Sequence, residues 1–276
     1  MKRLLAGAML AVVASPAFAA DVVAPIAEEP VASGPRIAGH VEAFLGGLWI
    51  DAEGGNDGGW VAGGAARLNF PIDVRWNVQG DLFADGAWFD EGDFNSYGGA
   101  VHAYWRDPSS FAAGGFATIT GYGGDSGPGD AYTFTVGPEA QVYFDNVTLY
   151  GQAYYGQLRE SGSSDHADIW GVRGVARYFV QPNLRFDGEL GYRSVDVSDG
   201  ADSVTAALQG NYRFDGTPWT VFGRYQFDRL TGLSSDGVNL HKLVLGVRAT
   251  FGADTLLDED RNGATMDTQR SSYLFF

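Results

Sequence analysis

The stretch "NLRFDGELGYRSVD", Asn183 to Asp196, decides how the rest of the chain is read. Leu184, Phe186, Gly188, Leu190 and Tyr192 occupy one parity, and Arg185, Asp187, Glu189 and Arg193 the other. Strict alternation over this length marks a β-strand, because successive side chains on an extended backbone point to opposite faces. Two arrangements satisfy it. The apolar parity packs on a core with the charges in water, or it meets lipid while the charges line a closed tube.

The same texture extends in both directions. Twelve period-2 segments follow one another, at 38–50, 58–70, 75–89, 95–106, 110–122, 131–144, 147–159, 168–180, 184–195, 203–214, 219–230 and 239–251. Their connections alternate in kind. "PIDV" (71–74), "DPS" (107–109), "DN" (145–146), "QPN" (181–183) and "DGTP" (215–218) are short and rich in turn residues. "DAEGGNDGG" (51–59), "DEGDF" (90–94), "GGDSGPGD" (123–130), "ESGSSDHA" (160–167), "DVSDGAD" (196–202) and "TGLSSDGV" (231–238) are longer and mostly acidic. An even-stranded meander with two chemically distinct ends predicts an all-β, up-and-down antiparallel barrel of twelve strands, the architecture of bacterial outer-membrane barrels.

The aromatic residues sharpen this reading. The apolar parity carries Trp49, Trp60, Trp76, Trp88, Trp105, Trp170, Tyr192, Trp219 and Phe251. They fall near one end of their strands or the other, with small or aliphatic residues such as Val78, Leu82, Val101, Ala113, Val172 and Leu245 between. Two aromatic girdles around an apolar band are what a bilayer selects, since amphipathic rings settle at its interfaces. These nine residues are therefore expected to face lipid.

The ends of the chain fit that expectation. "MKRLLAGAMLAVVASPAFAAD" places Lys2 and Arg3 before an apolar run and ends in Ala17-Phe18-Ala19, which predicts a signal peptide over 1–19. Residues 20–36, with Pro25, Pro30 and Pro35, read as a periplasmic linker, 37–252 as the barrel and 253–276 as a C-terminal periplasmic tail. Removing the two basic residues of the signal takes the formal charge from −16 to −18, so nucleic acid is not an expected partner. The absence of Cys leaves neither a disulfide framework nor a thiolate metal site.

The opposite parity supplies the expected pore lining: Glu42, Arg67, Asp81, Asp85, Arg106, Glu139, Arg173, Arg177, Arg185, Asp187, Glu189, Arg193, Arg213, Arg224, Asp228 and Arg248. With Lys242, strands eight to twelve contribute eight basic residues against three acidic ones, which predicts a positive wall. Unpaired charges do not form a dry core, so either water fills the tube or the charges pair across it. Both readings stay open, and with them a diffusion channel or a closed structural or surface-interaction barrel.

The signal sequence running into "ADVVAP", the Gly- and aromatic-rich meander and the closing strand "KLVLGVRATFG" resemble the porin-family outer-membrane β-barrels of Gram-negative bacteria. The resemblance covers residues 37–252. It implies an outer-membrane location, passive passage of small polar solutes or ions, contact with outer-membrane lipid and lipopolysaccharide, and a homo-oligomer as one option. It also implies that the barrel-assembly machinery reads a last strand ending in an aromatic. Leu243, Leu245, Val247, Ala249 and Phe251 match, although a further 25 residues follow and place Phe276 at the terminus.

No catalytic, cofactor or metal site is expected. His241 points outward near the long-loop end but lacks the serine and amide partners of a phospholipase, and Asp165-His166 reads as a solvated loop. "DEDRNG" (258–263) resembles the start of a calcium loop, but Gln269 stands where a bidentate Glu is required and Arg261 repels a cation. Asp51, Glu53 and Asp57 are weighed as a divalent-ion site and read instead as solubilising charge.

Overall fold

A computed structural model describes residues 36–52, 55–90, 92–125, 131–162, 165–196, 200–232 and 237–268. The signal peptide and nearly all of the expected linker lie outside the described residues. Twelve strands run β1 (Ala38–Ala52), β2 (Gly55–Pro71), β3 (Trp76–Phe89), β4 (Gly92–Asp107), β5 (Phe111–Gly123), β6 (Ala131–Phe144), β7 (Val147–Glu160), β8 (His166–Gln181), β9 (Leu184–Asp196), β10 (Ala201–Arg213), β11 (Trp219–Thr231) and β12 (Val238–Phe251). Each pairs antiparallel with its neighbours in sequence. β12 returns to β1 from Gly39↔Phe251 to Asp51↔Asn239, so the barrel closes and no strand edge is left unpaired.

Turn chemistry sets the short end. Asp145 holds the non-glycine positive φ of the described chain, at 35°, in the two-residue Asp145-Asn146 turn between β6 and β7, where a short polar side chain tolerates that conformation. The Asp73 carboxylate accepts from the Arg75 and Trp76 amides at 2.7 Å each, which orders the β2–β3 turn and lowers its pKa. Arg75 lies in this exposed turn, pairs with Asp107 at 2.6 Å and covers the Trp105 ring.

The long-loop end departs from the expected alternation at two connections. β1 and β2 stay paired through Asp51↔Asn56 and Ala52↔Gly55, and β3 and β4 through Phe89↔Gly92. Residues 55–59 of the Gly-rich β1–β2 connection are thus absorbed into strand, and Gly55 and Gly92 take φ values of 157° and 152°.

The two faces differ sharply. The outer surface carries exposed Trp49, Trp60, Trp76, Trp88, Trp170, Trp219 and Phe251, with Trp105 and Tyr192 half-buried against Phe111 and Trp170. Leu45, Leu82, Leu190, Leu208 and Leu245, midway along their strands, are each more than 60% exposed, so the barrel has its greasiest surface where a soluble protein would place charge.

The chain does not stop at the barrel wall. Gly252, at φ +70°, turns it inward past the Ile37 carbonyl, where a Cβ would clash at 2.2 Å. The helix α1 (Leu256–Asn262) follows, capped by Thr255, whose hydroxyl accepts from the Asp258 amide at 3.0 Å. It lies across the short-turn end, with Leu257 N donating to Pro182 O at 3.0 Å and the Arg261 guanidinium 4.4 Å over the Tyr143 ring. Residues 264–268 then run up into the lumen, where Ala264, Thr265, Met266 and Thr268 are all buried.

Candidate functional site

The lumen is the site, and its parts come from opposite ends of the sequence. Residues 253–268 of the segment expected as a C-terminal periplasmic tail line and fill the short-turn half of the barrel, and 269–276 lie outside the described residues. Its helix carries Asp258, Glu259 and Asp260, which face inward and are buried. Asp258 pairs with Arg36, the last residue of the expected linker, and Glu259 with His40 Nδ1 at 2.7 Å. Asp260 accepts from Arg177 Nη1 and from the Thr148 hydroxyl, both at 2.6 Å. Asp267 receives Arg177 Nη2 at 2.7 Å and Arg67 Nη1 at 3.0 Å.

This explains the missing counter-charge. Strands β8–β12 carry a surplus of five inward basic residues, and the tail supplies four carboxylates to the lumen. Burial by itself would raise the Glu259 pKa, but His40 and Arg248 hold the carboxyl down to about 2. The same competition at Asp267, won by Arg177, Arg67 and Arg173, keeps it well below the ordinary carboxylate range.

The segment that resembles the start of a calcium loop is the helix itself. Asp258 and Asp260 already have Arg36 and Arg177 as partners, so the "DEDRNG" carboxylates are occupied by cations of the chain. Asp51 shares a face with Asn56, and Asp57 with Ile50, so these two acids lie on opposite sides of their hairpin rather than converging. Glu53 lies outside the described residues.

The wall residues expected to line a pore sit on the inner face, mostly in pairs. Glu42 holds Arg248 at 2.8 Å, Asp81 accepts from Arg67 at 3.0 Å, and Glu189 bridges Arg173 at 2.8 Å and Arg224 at 3.0 Å. Arg185 pairs with Asp187 at 2.8 Å. Glu139, fully buried, binds His102 at 2.9 Å and the Tyr150 hydroxyl at 2.7 Å. Asp228 accepts from Thr205 at 2.5 Å. Arg106 caps the end of α1 through the Gly263 and Asn262 carbonyls at 2.6 and 2.7 Å, and Arg213 reaches the Ala253 carbonyl at 2.7 Å.

Above the tail is a cavity of about 160 Å³. Asp267 and Thr268 line it together with Asp85, Arg193 and most of the pairs just named. Seven basic and six acidic side chains surround it, so it is polar and close to neutral. Arg193 faces it, is buried and forms no ion pair with another described residue.

Toward the long loops the inner face turns apolar, which the expected charged lining did not include. Leu48, Val61, Ala87, Leu230, Val238, Leu240 and Val244 pack together on one side, and Phe116, Tyr154, Ile169 and Val195 on another. These residues share the inward parity with the charges but mostly lie nearer the hairpin tips, where side chains of neighbouring strands pack along one wall. On the outer face, His241 bonds Tyr225 at 2.7 Å and lies 3.6 Å from Asp51.

No protein-family model matches the chain, and no curated protein matches its sequence. Solved structures do match. An outer membrane channel from Pseudomonas putida F1 aligns with TM-score 0.55 at 14% identity, over 84% of this chain and 100% of that one. The translocator domain of the autotransporter NalP from Neisseria meningitidis aligns with TM-score 0.52 at 12% identity, over 82% and 91%. The β domain of the Bordetella autotransporter BrkA gives 0.52 at 12%, over 78% and 100%. The fold is that of an outer-membrane β-barrel.

Proposed function

We propose that the protein is an outer-membrane channel for small polar solutes or ions, with residues 1–19 as its export signal, and that the tail occupies the conduction path in the resting state. The supporting observation is the polar cavity above Asp267, ringed by charged side chains on rigid strands rather than filled by an apolar core. The wall is fixed by the closed ladder, whereas the tail is joined to it covalently only through Gly252. Nine outward aromatics, Trp49, Trp60, Trp76, Trp88, Trp105, Trp170, Tyr192, Trp219 and Phe251, meet lipid in this reading, and lipopolysaccharide is the partner at the outer leaflet. The barrel-assembly machinery reads β12.

A second reading, a closed barrel that stabilises the envelope or presents its loops, draws on the pairing of most lumen charges with each other and with the tail. Planar-bilayer conductance of the folded full chain separates the two. The channel reading expects small or infrequent steps from the wild type and larger, frequent steps from the variant E259Q/D260N/D267N. Silence of both proteins, each showing the heat-modifiable gel shift of a folded barrel, favours the closed barrel.

A further inference from the structure

The way the wall holds residues 264–268 differs from ordinary core packing. Gln79 bonds the Met266 peptide unit in both directions, Nε2 to Met266 O at 2.7 Å and Met266 N to Oε1 at 3.2 Å. Gln141 Nε2 and Arg177 Nη2 donate to Thr265 O at 3.1 and 3.0 Å. Gln152 Nε2 and the Tyr150 hydroxyl donate to Asp267 O at 2.9 and 3.1 Å. Side-chain amides and a hydroxyl on strands β3, β6 and β7 thus read successive main-chain groups of an extended segment, whatever its side chains are. Two features add selectivity. Met266 enters a fully buried socket against Tyr104, Tyr143 and Tyr150, and Arg177 with Arg67 grips the carboxylates. Main-chain hydrogen bonds for affinity and side-chain pockets for specificity are the recurring logic of peptide recognition.

The site is also built without its occupant. Every one of these wall groups sits on a strand whose ladder is complete before the chain reaches Gly252. Arg177 is 3% exposed and meets Asp260, Asp267 and Thr265, all of them tail residues. Emptied of the tail, the pocket would present the Arg177 guanidinium to the lumen without Asp260 and Asp267, a cationic position that suits another anion of the same reach.

We infer that the short-turn half of the lumen is a binding site for an extended acidic peptide, occupied in cis by residues 264–268 as a tethered ligand. The tether gives the tail a local concentration in the millimolar range or above, on the order expected for short linkers, so an outside peptide gains access only when the tail is released. The same chemistry could be met by an acidic segment of another protein, and the test distinguishes cis from trans occupancy. The inference does not depend on conduction.

The measurement is fluorescence anisotropy of a labelled peptide with the sequence of residues 256–268, titrated with detergent-solubilised full-chain protein. The E259Q/D260N/D267N protein is expected to bind it, the wild type at least tenfold more weakly, and the E259Q/D260N/D267N protein carrying R177A not at all. Equal affinity for wild type and triple variant, binding indifferent to R177A, or no binding to a triple variant that shows the folded gel shift overturns the inference. A second measurement needs no variant. In the wild type, the Met266 and Asp267 amides, bonded to Gln79 and Tyr150, should be protected from hydrogen exchange and lose protection at least tenfold when unlabelled peptide is added in large excess. Protection unchanged at saturating peptide overturns it equally.

Discussion

The two halves of the lumen are lined by different physics. Near the long loops, Leu48, Leu230, Leu240 and Val244 pack against one another along the neighbouring strands β11, β12 and β1, and every participant belongs to the barrel. Near the short turns, the closure is a separate segment held by carboxylates and amides, with contacts such as Gln79–Met266 that join residues 187 positions apart. An apolar lining has no titratable handle. A charged closure is strong while both partners are ionised and buried, and it fails when one of them is neutralised.

Acid should break that contrast most widely. Glu259 and Asp267 have carboxyl pKa values depressed in the folded protein, so their contribution to tail docking is fully present above the ordinary carboxylate range and is lost as pH falls through it, toward about 2 for Glu259 and well below the ordinary range for Asp267. The groups facing them are His40, Arg248 and Arg185 for the first and Arg177, Arg67 and Arg173 for the second. Limited acid proteolysis with pepsin should cut the tail increasingly between pH 4 and pH 2, while far-UV circular dichroism of the barrel stays constant. A tail equally resistant across that range would contradict the docking described.

R177A comes next. It leaves Asp260 and Asp267 without their main partner in a buried site, at a cost of about 3–5 kcal/mol to tail docking. Hydrogen exchange at residues 264–268 should report it, with β-strand amides unaffected. In the apolar half, L240A should cost about 3 kcal/mol of barrel stability by opening a cavity, measured by denaturant unfolding in detergent, and should leave tail exchange unchanged. The smallest effect belongs to R75A. Its pair with Asp107 is exposed, so the change should stay below about 1 kcal/mol and weaken further in salt.

The barrel itself was written locally. Alternation in "NLRFDGELGYRSVD" assigns Leu190 and Phe186 outward and Arg185 and Glu189 inward, because parity depends only on the extended backbone. Turn residues such as Asp145-Asn146 fix the hairpins by the same local rule. What the pattern could not convey is what sits inside. The tail's "LLDED" carries a visible signal, acidic residues a few positions past β12 beside a wall with five surplus cations, but alternation gives no height along the strand and no partner across 100 residues. Leu48 and Leu240 were missed for a related reason: they share the inward parity with Glu42 and Arg248 and differ only in level.

The sequence by itself therefore determined the number of strands, their faces and the closed antiparallel order, since each follows from interactions between near neighbours. Only the tertiary structure decided that the C-terminal segment turns into the lumen at Gly252 and that Arg177 is neutralised by Asp260 and Asp267. A buried charge finds its counter-ion by proximity in space, and closing the barrel is what brings residues 177 and 260 within 2.6 Å.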